Sequence, residues 1–279
     1  MNNLQKFPQD RCMEKTSNKK IAVVVGGSSG IGFETCKKLS GQGWNVVNIS
    51  RTPCKISKVT NITADAADGS ALSAAIKKAG GKTGISLLIY SAGFSMAAPI
   101  EYAKEEDYRY LFEVNFFGAL RAVQSVIPHM KNKGGRIILI GSLGGDLPIC
   151  FDSFYSASKA ALEMLCRAAY GELKPYGIKV TGVRPGGTST GFTFKRKVYN
   201  DSETGNYSGN VNKAVAALAN MEQSGMSPSA VANIICNLTL LDNPPVIKIC
   251  GTKNTVFRAF SRIMPEKVTL NLNGRFYNQ

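Results

Sequence analysis

Five consecutive apolar residues, Ile21-Ala22-Val23-Val24-Val25, run directly into Gly26-Gly27-Ser28-Ser29-Gly30-Ile31-Gly32 and then into a helical stretch, Phe33 to Ser40, closed by Gly41. Four of the five apolar residues are β-branched, which favours a short strand. Strand, glycine turn and helix in that order set backbone N–H groups at a helix N-terminus, where a pyrophosphate can be received. Gly26 would permit the tight turn, Gly30 would let the backbone approach phosphates, and Gly32 would let helix and strand pack closely. The spacing Gly-x-x-x-Gly-x-Gly is one residue longer than the usual dinucleotide fingerprint.

The same alternation continues along the chain. Strands are expected near 20–25, 45–50, 58–62, 85–90, 135–141, 178–184 and 246–250, and helices near 30–41, 69–79, 104–132, 154–175 and 228–241. This implies an α/β fold, a three-layer doubly wound parallel sheet (Rossmann fold) of about seven strands. The 279 residues suit one domain over 20–279, preceded by a flexible extension, 1–19. That extension lacks the apolar stretch of a signal peptide, and the chain has no run of 18 or more apolar residues. Seven cysteines are scattered without Cys-x-x-Cys spacing and only one histidine is present, so a metal site is not expected and reduced thiols in a cytoplasmic protein are.

A second motif lies in the Phe154-Tyr155-Ser156-Ala157-Ser158-Lys159 segment, with Ser142 upstream. Tyrosine and lysine four residues apart share a helix face. An ammonium beside a phenol would lower its pKa and make it a proton donor near neutral pH. Such pairs also arise by chance on amphipathic helices, so the pair acquires meaning only beside the glycine loop.

Together the two motifs resemble the short-chain dehydrogenase/reductase family, over roughly residues 19–250. Further positions fall into register: Asp65, Ala92-Gly93, Asn115 within Val114-Asn115-Phe116-Phe117-Gly118, the turn Arg184-Pro185-Gly186, then Thr188 and Thr190. Two positions depart from the family pattern, Val25 before the first glycine and Tyr90-Ser91 before Ala92-Gly93. Tyr90 is bulky enough to alter packing on the adenosine side. The resemblance implies hydride transfer between a nicotinamide and a ketone or secondary alcohol. In it Tyr155 handles the proton, Lys159 tunes Tyr155 and holds the nicotinamide ribose, Ser142 positions the substrate oxygen, and Asn115 holds a water leading to Lys159. Asp65 would contact adenine, and Thr188 and Thr190 the nicotinamide.

Cofactor choice turns on the end of the second strand. There Ser50 and Arg51 stand where an NAD(H)-specific site places a carboxylate for the ribose 2′-hydroxyl. Arginine's planar fork suits a 2′-phosphate, so NADP(H) is expected over NAD(H). Phe94, Met96, Leu143, Leu147, Ile149, Phe151 and Phe192 are expected to line an apolar substrate pocket, under a mobile lid formed by residues 187–227. Similarity to members acting on hydroxysteroids, retinoids or keto lipids suggests a hydrophobic substrate. Two alternatives stand beside it: a 3-oxoacyl thioester reductase, with Lys195-Arg196-Lys197 meeting a phosphate or acidic carrier, and a non-catalytic dinucleotide sensor, which the intact catalytic set disfavours.

Formal net charge is +15, from 34 basic and 19 acidic residues. The basic residues are dispersed and no nucleic-acid module is present, so no nucleic-acid partner is expected. From Lys253 to Lys267, Val256, Phe260, Ile263 and Met264 follow helical spacing. Packing over the pocket or against another subunit is favoured there over peripheral membrane contact. The resemblance implies a homo-oligomer, dimer or tetramer, associating through the helices near 104–132 and 154–175.

Overall fold

A computed structural model describes residues 20–278; the expected N-terminal extension lies outside the described residues. The chain order begins β1 (Ile21–Val25), α1 (Gly30–Gly41), β2 (Asn45–Ser50), β3 (Val59–Thr63), α2 (Gly69–Gly80) and β4 (Leu87–Tyr90). It continues through β5 (Met96–Ala97), α3 (Glu105–Phe112), a π-helical turn (Glu113–Phe117), α4 (Gly118–Met130), β6 (Gly135–Ile140), α5 (Ser153–Leu173) and β7 (Ile178–Arg184). Then come β8 (Lys197–Val198), α6 (Asp201–Thr204), α7 (Ser208–Gln223), α8 (Pro228–Leu238), β9 (Ile247–Ile249), α9 (Thr252–Ser261) and α10 (Glu266–Asn278).

Seven strands form one parallel sheet in the order β3-β2-β1-β4-β6-β7-β9. Apolar runs such as Leu87-Leu88-Ile89-Tyr90 are buried throughout, as a sheet covered on both faces requires. On one face Val23, Val25, Leu88 and Ile137 meet Leu72 and Ile76 of α2, Val126 of α4 and Leu162 of α5. On the other, Val24, Ile89 and Ile138 meet Leu39 of α1 and Ile235 of α8. Helix α2 starts cleanly because the Asp68 carboxylate accepts from the N–H groups of Ser70 and Ala71, both at 3.0 Å. The strand order reverses direction at β1 and β4, and a cleft opens there at the carboxyl ends of the strands.

Four expectations change. The single helix expected over 104–132 is α3 and α4 joined by the π-helical turn, the kind of irregularity that concentrates at functional sites. Close packing accompanies it: a Cβ on Gly118 would lie 2.4 Å from the Tyr90 hydroxyl and 2.6 Å from the Ala66 carbonyl oxygen. Tyr90 therefore points into the core, its hydroxyl donating to the Val114 carbonyl, and does not crowd the adenosine side.

Residues 187–227 are not an open loop. Lys197–Val198 pairs with Met96–Ala97 as a two-stranded parallel sheet, and α7 buries Val211, Ala214 and Leu218. Many of the small apolar residues of α7 are alanines, so its periodicity is weak in the sequence. The amphipathic segment near 253–267 is likewise two helices, α9 and α10, which divide around Pro265.

Candidate active site

The glycine loop is shaped by clashes that only glycine avoids. Gly26 sits at φ +85°, and a Cβ there would lie 2.6 Å from the Ala92 nitrogen. A Cβ on Gly32 would lie 2.2 Å from the Gly26 carbonyl oxygen, so α1 can enter this close to β1 only without a side chain. A residue not singled out in the sequence braces the loop. Asn48, fully buried in β2, accepts from the Gly27 N–H at 2.9 Å and donates to Ser50 Oγ and Asn61 Oδ1, each at 2.9 Å. A polar residue inside Val46-Val47-Asn48-Ile49 was the available signal, because buried amides are retained where they are bonded.

One cavity of ≈ 1690 Å³ runs from this loop past the ends of β4, β6 and β7. Its walls bring together Gly26, Ser28, Ser29, Gly30, Ile31, Ser50, Arg51, Asp65, Ala92 and Gly93 at one end, and Ser142, Tyr155, Lys159, Pro185, Gly186, Thr188 and Thr190 farther in. Gly32 stands behind the loop rather than in the wall. The backbone-lined cradle and elongated cavity fit a nicotinamide dinucleotide, and those residues would hold it.

Helix α5 carries Tyr155 and Lys159 one turn apart, both buried. It approaches the turn after β6 closely because Gly145 has no side chain; a Cβ there would lie 2.7 Å from the Lys159 carbonyl carbon. That turn presents Ser142 on the same cavity wall as Tyr155, and its hydroxyl accepts from the Gly144 N–H at 3.0 Å. Lys159 Nζ donates to the Ile140 carbonyl at 2.9 Å and lies 5.7 Å from the Tyr155 ring centroid.

The electrostatics depart from the sequence expectation. Burial pushes the Tyr155 phenol well above its ordinary range, and the neighbouring Ser142 hydroxyl only partly opposes this. Burial also lowers Lys159 to about 8, since no carboxylate is placed to hold its charge. The expected lowering of Tyr155 by Lys159 has no counterpart in the protein alone, where burial governs both groups.

Asn115, from the π-helical turn, lies behind the cavity wall with its side chain committed. Oδ1 accepts from the Phe94 N–H at 3.1 Å, and Nδ2 donates to the Phe94 carbonyl at 2.9 Å and to Ser158 Oγ at 3.0 Å. It anchors the loop after β4 against α5. At the far end Arg51 is exposed, 3.3 Å from the Tyr110 hydroxyl and 3.9 Å from Asp65. Asp65 Oδ1 accepts from the Ala67 N–H at 3.0 Å.

Among the expected substrate residues, Phe94, Leu143, Leu147, Ile149 and Phe192 line the cavity, Phe192 with its ring 5.8 Å from that of Tyr155. Met96 and Phe151 do not. Met96 is fully buried in β5, which pairs with β8. Phe151 has a left-handed backbone (φ 63°), offers its carbonyl to the Ala98 N–H at 2.8 Å and turns its ring toward Tyr207. Phe257, Met264 and Leu272 of the C-terminal segment line the cavity instead. The basic tripeptide is split three ways: Lys195 Nζ donates to Ser29 Oγ at 2.9 Å, Arg196 is buried, and Lys197 pairs with Asp107.

A glycine cradle at the switch point of a parallel sheet, opening onto Ser142 and the buried Tyr155 and Lys159, defines a dinucleotide-dependent oxidoreductase acting on a C=O or CH–OH group. The chain belongs to the short-chain dehydrogenase/reductase family. The short chain dehydrogenase family model matches residues 20–200. A 3-ketodihydrosphingosine reductase of Bacteroides thetaiotaomicron is 33% identical over 230 residues, covering 81% of this chain and 86% of the relative. An NADPH-dependent 3-dehydrocapnine reductase of Ornithobacterium rhinotracheale is 28% identical over 269 residues, covering 89% and 94%. The crystal structure of a short-chain dehydrogenase from Streptomyces avermitilis superposes with a TM-score of 0.77 at 26% identity, covering 91% of this chain and 95% of that one.

Proposed function

We propose that this protein is an NADP(H)-dependent reductase of a ketone on a long-chain, lipid-like molecule. The observation that carries the reading is the buried Tyr155, sharing a cavity wall with Ser142 and Lys159 where the dinucleotide cradle meets an apolar chamber. Arg51, with no carboxylate at the end of β2, supports NADP(H), and the NADPH-dependent relative agrees. The keto-lipid substrate named for the Bacteroides relative supports the substrate class. A bound reduced nicotinamide would supply the hydride to the carbonyl carbon.

The chain's own residues would do the rest. Ser142 binds the carbonyl oxygen and fixes its distance from Tyr155. Tyr155 gives its proton to that oxygen; the burial that raises its pKa keeps the phenol protonated and able to donate. Lys159, beside the phenol, stabilises the phenolate left behind and holds the ribose hydroxyls. Asn115 keeps the loop after β4 against α5, and a water near it would return a proton through Lys159. Phe192 and the C-terminal helices exclude solvent from the carbonyl.

Lys195 reaching Ser29 adds a positive charge at the phosphate cradle. It leaves no exposed basic triplet for an acidic carrier, which favours a free lipid over a carrier-bound thioester. Exposed apolar residues of α9 and the turn after it, among them Phe260 and then Ile263 beside Arg262, suit a second subunit or a lipid surface next to the cavity. Among the described residues no helix is long and apolar enough to cross a membrane. Loss of NADPH absorbance with a long-chain ketone, with the alcohol product identified, tests the reading. A strong preference for acetoacetyl thioester over every long-chain ketone would refute the substrate class.

A further inference from the structure

Helix α9 and the turn after it present two neighbouring faces with different surroundings. Lys253 and Phe257, one turn apart, line the chamber together with Met264 and with Leu272 of α10. Val256, Phe260 and Ile263, spaced by four and then three residues, do not line it and are 64%, 60% and 81% exposed. Phe257 joins the two faces. It is 52% exposed, borders the chamber, and with Lys253, Val256 and Phe260 also lines a shallow groove on the outside of the helix. The exposed apolar surface therefore begins at the chamber's rim. Loose packing of the segment does not account for it, because the inward side is anchored. Arg258 Nη2 donates to Asp146 Oδ1 at 2.6 Å, Asn273 Nδ2 donates to the Pro148 carbonyl, and Ser261 and Thr269 are buried. Large apolar side chains gathered on one outer face mark a surface that meets a partner.

Charge restricts which partner. Between residues 252 and 275 the basic side chains are Lys253, Arg258, Arg262, Lys267 and Arg275, and Glu266 is the single acid. Asp146 takes Arg258. Lys253, Arg262 and Lys267 are exposed beside the apolar groups: Lys253 in the groove itself, Arg262 next to Ile263, and Lys267 next to the exposed Val268. A second copy of this chain seated by two-fold symmetry would press these cations against themselves, since such an interface joins a patch to its own copy. An anionic bilayer surface satisfies both halves of the face. Its acyl boundary takes the apolar side chains and its headgroups take the cations.

We propose that Val256, Phe260 and Ile263, framed by Lys253, Arg262 and Lys267, dock this protein reversibly on an anionic lipid bilayer, with the chamber rim at Phe257 turned to the headgroups. A long-chain ketone then passes from bilayer to chamber without exposing its chain to water. The inference rests on the keto-lipid reading above for what passes the rim. Docking itself is measured with no substrate present, so the two can fail separately.

The test mixes the full chain with vesicles of phosphatidylcholine alone and with vesicles that also contain phosphatidylserine, and separates bound from free protein by flotation. The wild type is expected to partition roughly tenfold or more in favour of the anionic vesicles, with binding that weakens as salt rises. Phe260→Ser/Ile263→Ser should cut that partitioning by roughly tenfold or more. The melting temperature and the NADPH dissociation constant of this double variant should match the wild type, because neither side chain is buried or lines the chamber. Arg262→Gln/Lys267→Gln should remove most of the salt dependence. Absence of vesicle binding, equal binding to neutral and anionic vesicles, or binding that the apolar double variant leaves unchanged would overturn the proposal. A wild-type oligomer that Phe260→Ser/Ile263→Ser dissociates would overturn it in favour of a second copy on this face. A clear fall in that variant's melting temperature would overturn it by showing the face covered by the chain's own residues. Vesicle binding without reduction of any ketone would sink the reductase reading and leave docking standing; reduction of long-chain ketones without vesicle binding removes docking alone.

Discussion

The two ends of the cavity are built differently. The glycine cradle of the dinucleotide end comes from short-range sequence, since β1, the glycine turn and α1 are consecutive. The substrate end is assembled from the loop after β4, the start of α5, the segment before β8, α7 and the C-terminal helices, elements separated by more than a hundred residues. At the first end the close fit of the cradle comes from absent side chains; at the second the wall is made by side chains from many segments. Local construction is readable and robust in pattern, whereas the distant assembly can change its ligand by altering one contributing segment.

The two ends meet at Tyr155, and the largest expected effect lies there. Tyr155→Phe should reduce turnover by about 10²–10⁴-fold while the NADPH dissociation constant changes little; retained turnover would separate Tyr155 from the chemistry. Gly32→Ala attacks only the local end. Its Cβ would have to displace the Gly26 carbonyl, and a loss of about 1–3 kcal/mol in unfolding free energy with weakened NADPH binding is expected. A stable variant with normal NADPH affinity would show that the loop yields more easily than its geometry implies. Arg51→Asp sharpens the same end: NADPH affinity should fall roughly ten- to hundredfold with NADH little affected, and equal changes for both cofactors would remove Arg51 from 2′-phosphate recognition.

The smallest effect belongs to the substrate end. The Asp152 carboxyl is raised by burial from 3.8 to about 7, so the folded chain retains a proton that the unfolded chain has released. Stability linked to that proton is full below 3.8 and is lost as pH rises through about 7. Relative to Asp152→Asn, the wild type should lose thermal stability over that interval. Parallel melting curves would place Asp152 in a more solvated setting than its burial suggests.

The contrast also explains what the sequence could reveal. The glycine spacing, the Tyr155–Lys159 pair and each apolar segment are local signals, and the seven strands of the parallel sheet lie close to their expected positions along the chain. Asn115 could be named from its motif, yet its pair of hydrogen bonds with the Phe94 backbone depends on a π-helical turn with no local signature. Met96 and Phe151 appeared to be pocket residues because of their position after β4 and after Ser142, but strand pairing and a left-handed turn aim them elsewhere. Arg196 was hidden between two lysines. Only the pairing of Lys197 with Met96, about a hundred residues away in sequence, shows why it is buried while they are not. The Pro-Gly turn conceals a similar case. Arg184, which precedes it, is buried between Asp146 and Glu163, and Asp146 also binds Arg258 of α9, tying the C-terminal segment to the sheet.

The central claim is that a reduced dinucleotide at the local end and a ketone at the assembled end meet across Ser142 and Tyr155. It is tested most directly by incubating the protein with a long-chain ketone and NADPH deuterated at the transferring position of its nicotinamide. The account predicts one deuterium on the carbinol carbon of each alcohol formed. Alcohol without that label, or no alcohol from any ketone despite tight NADPH binding, would contradict it.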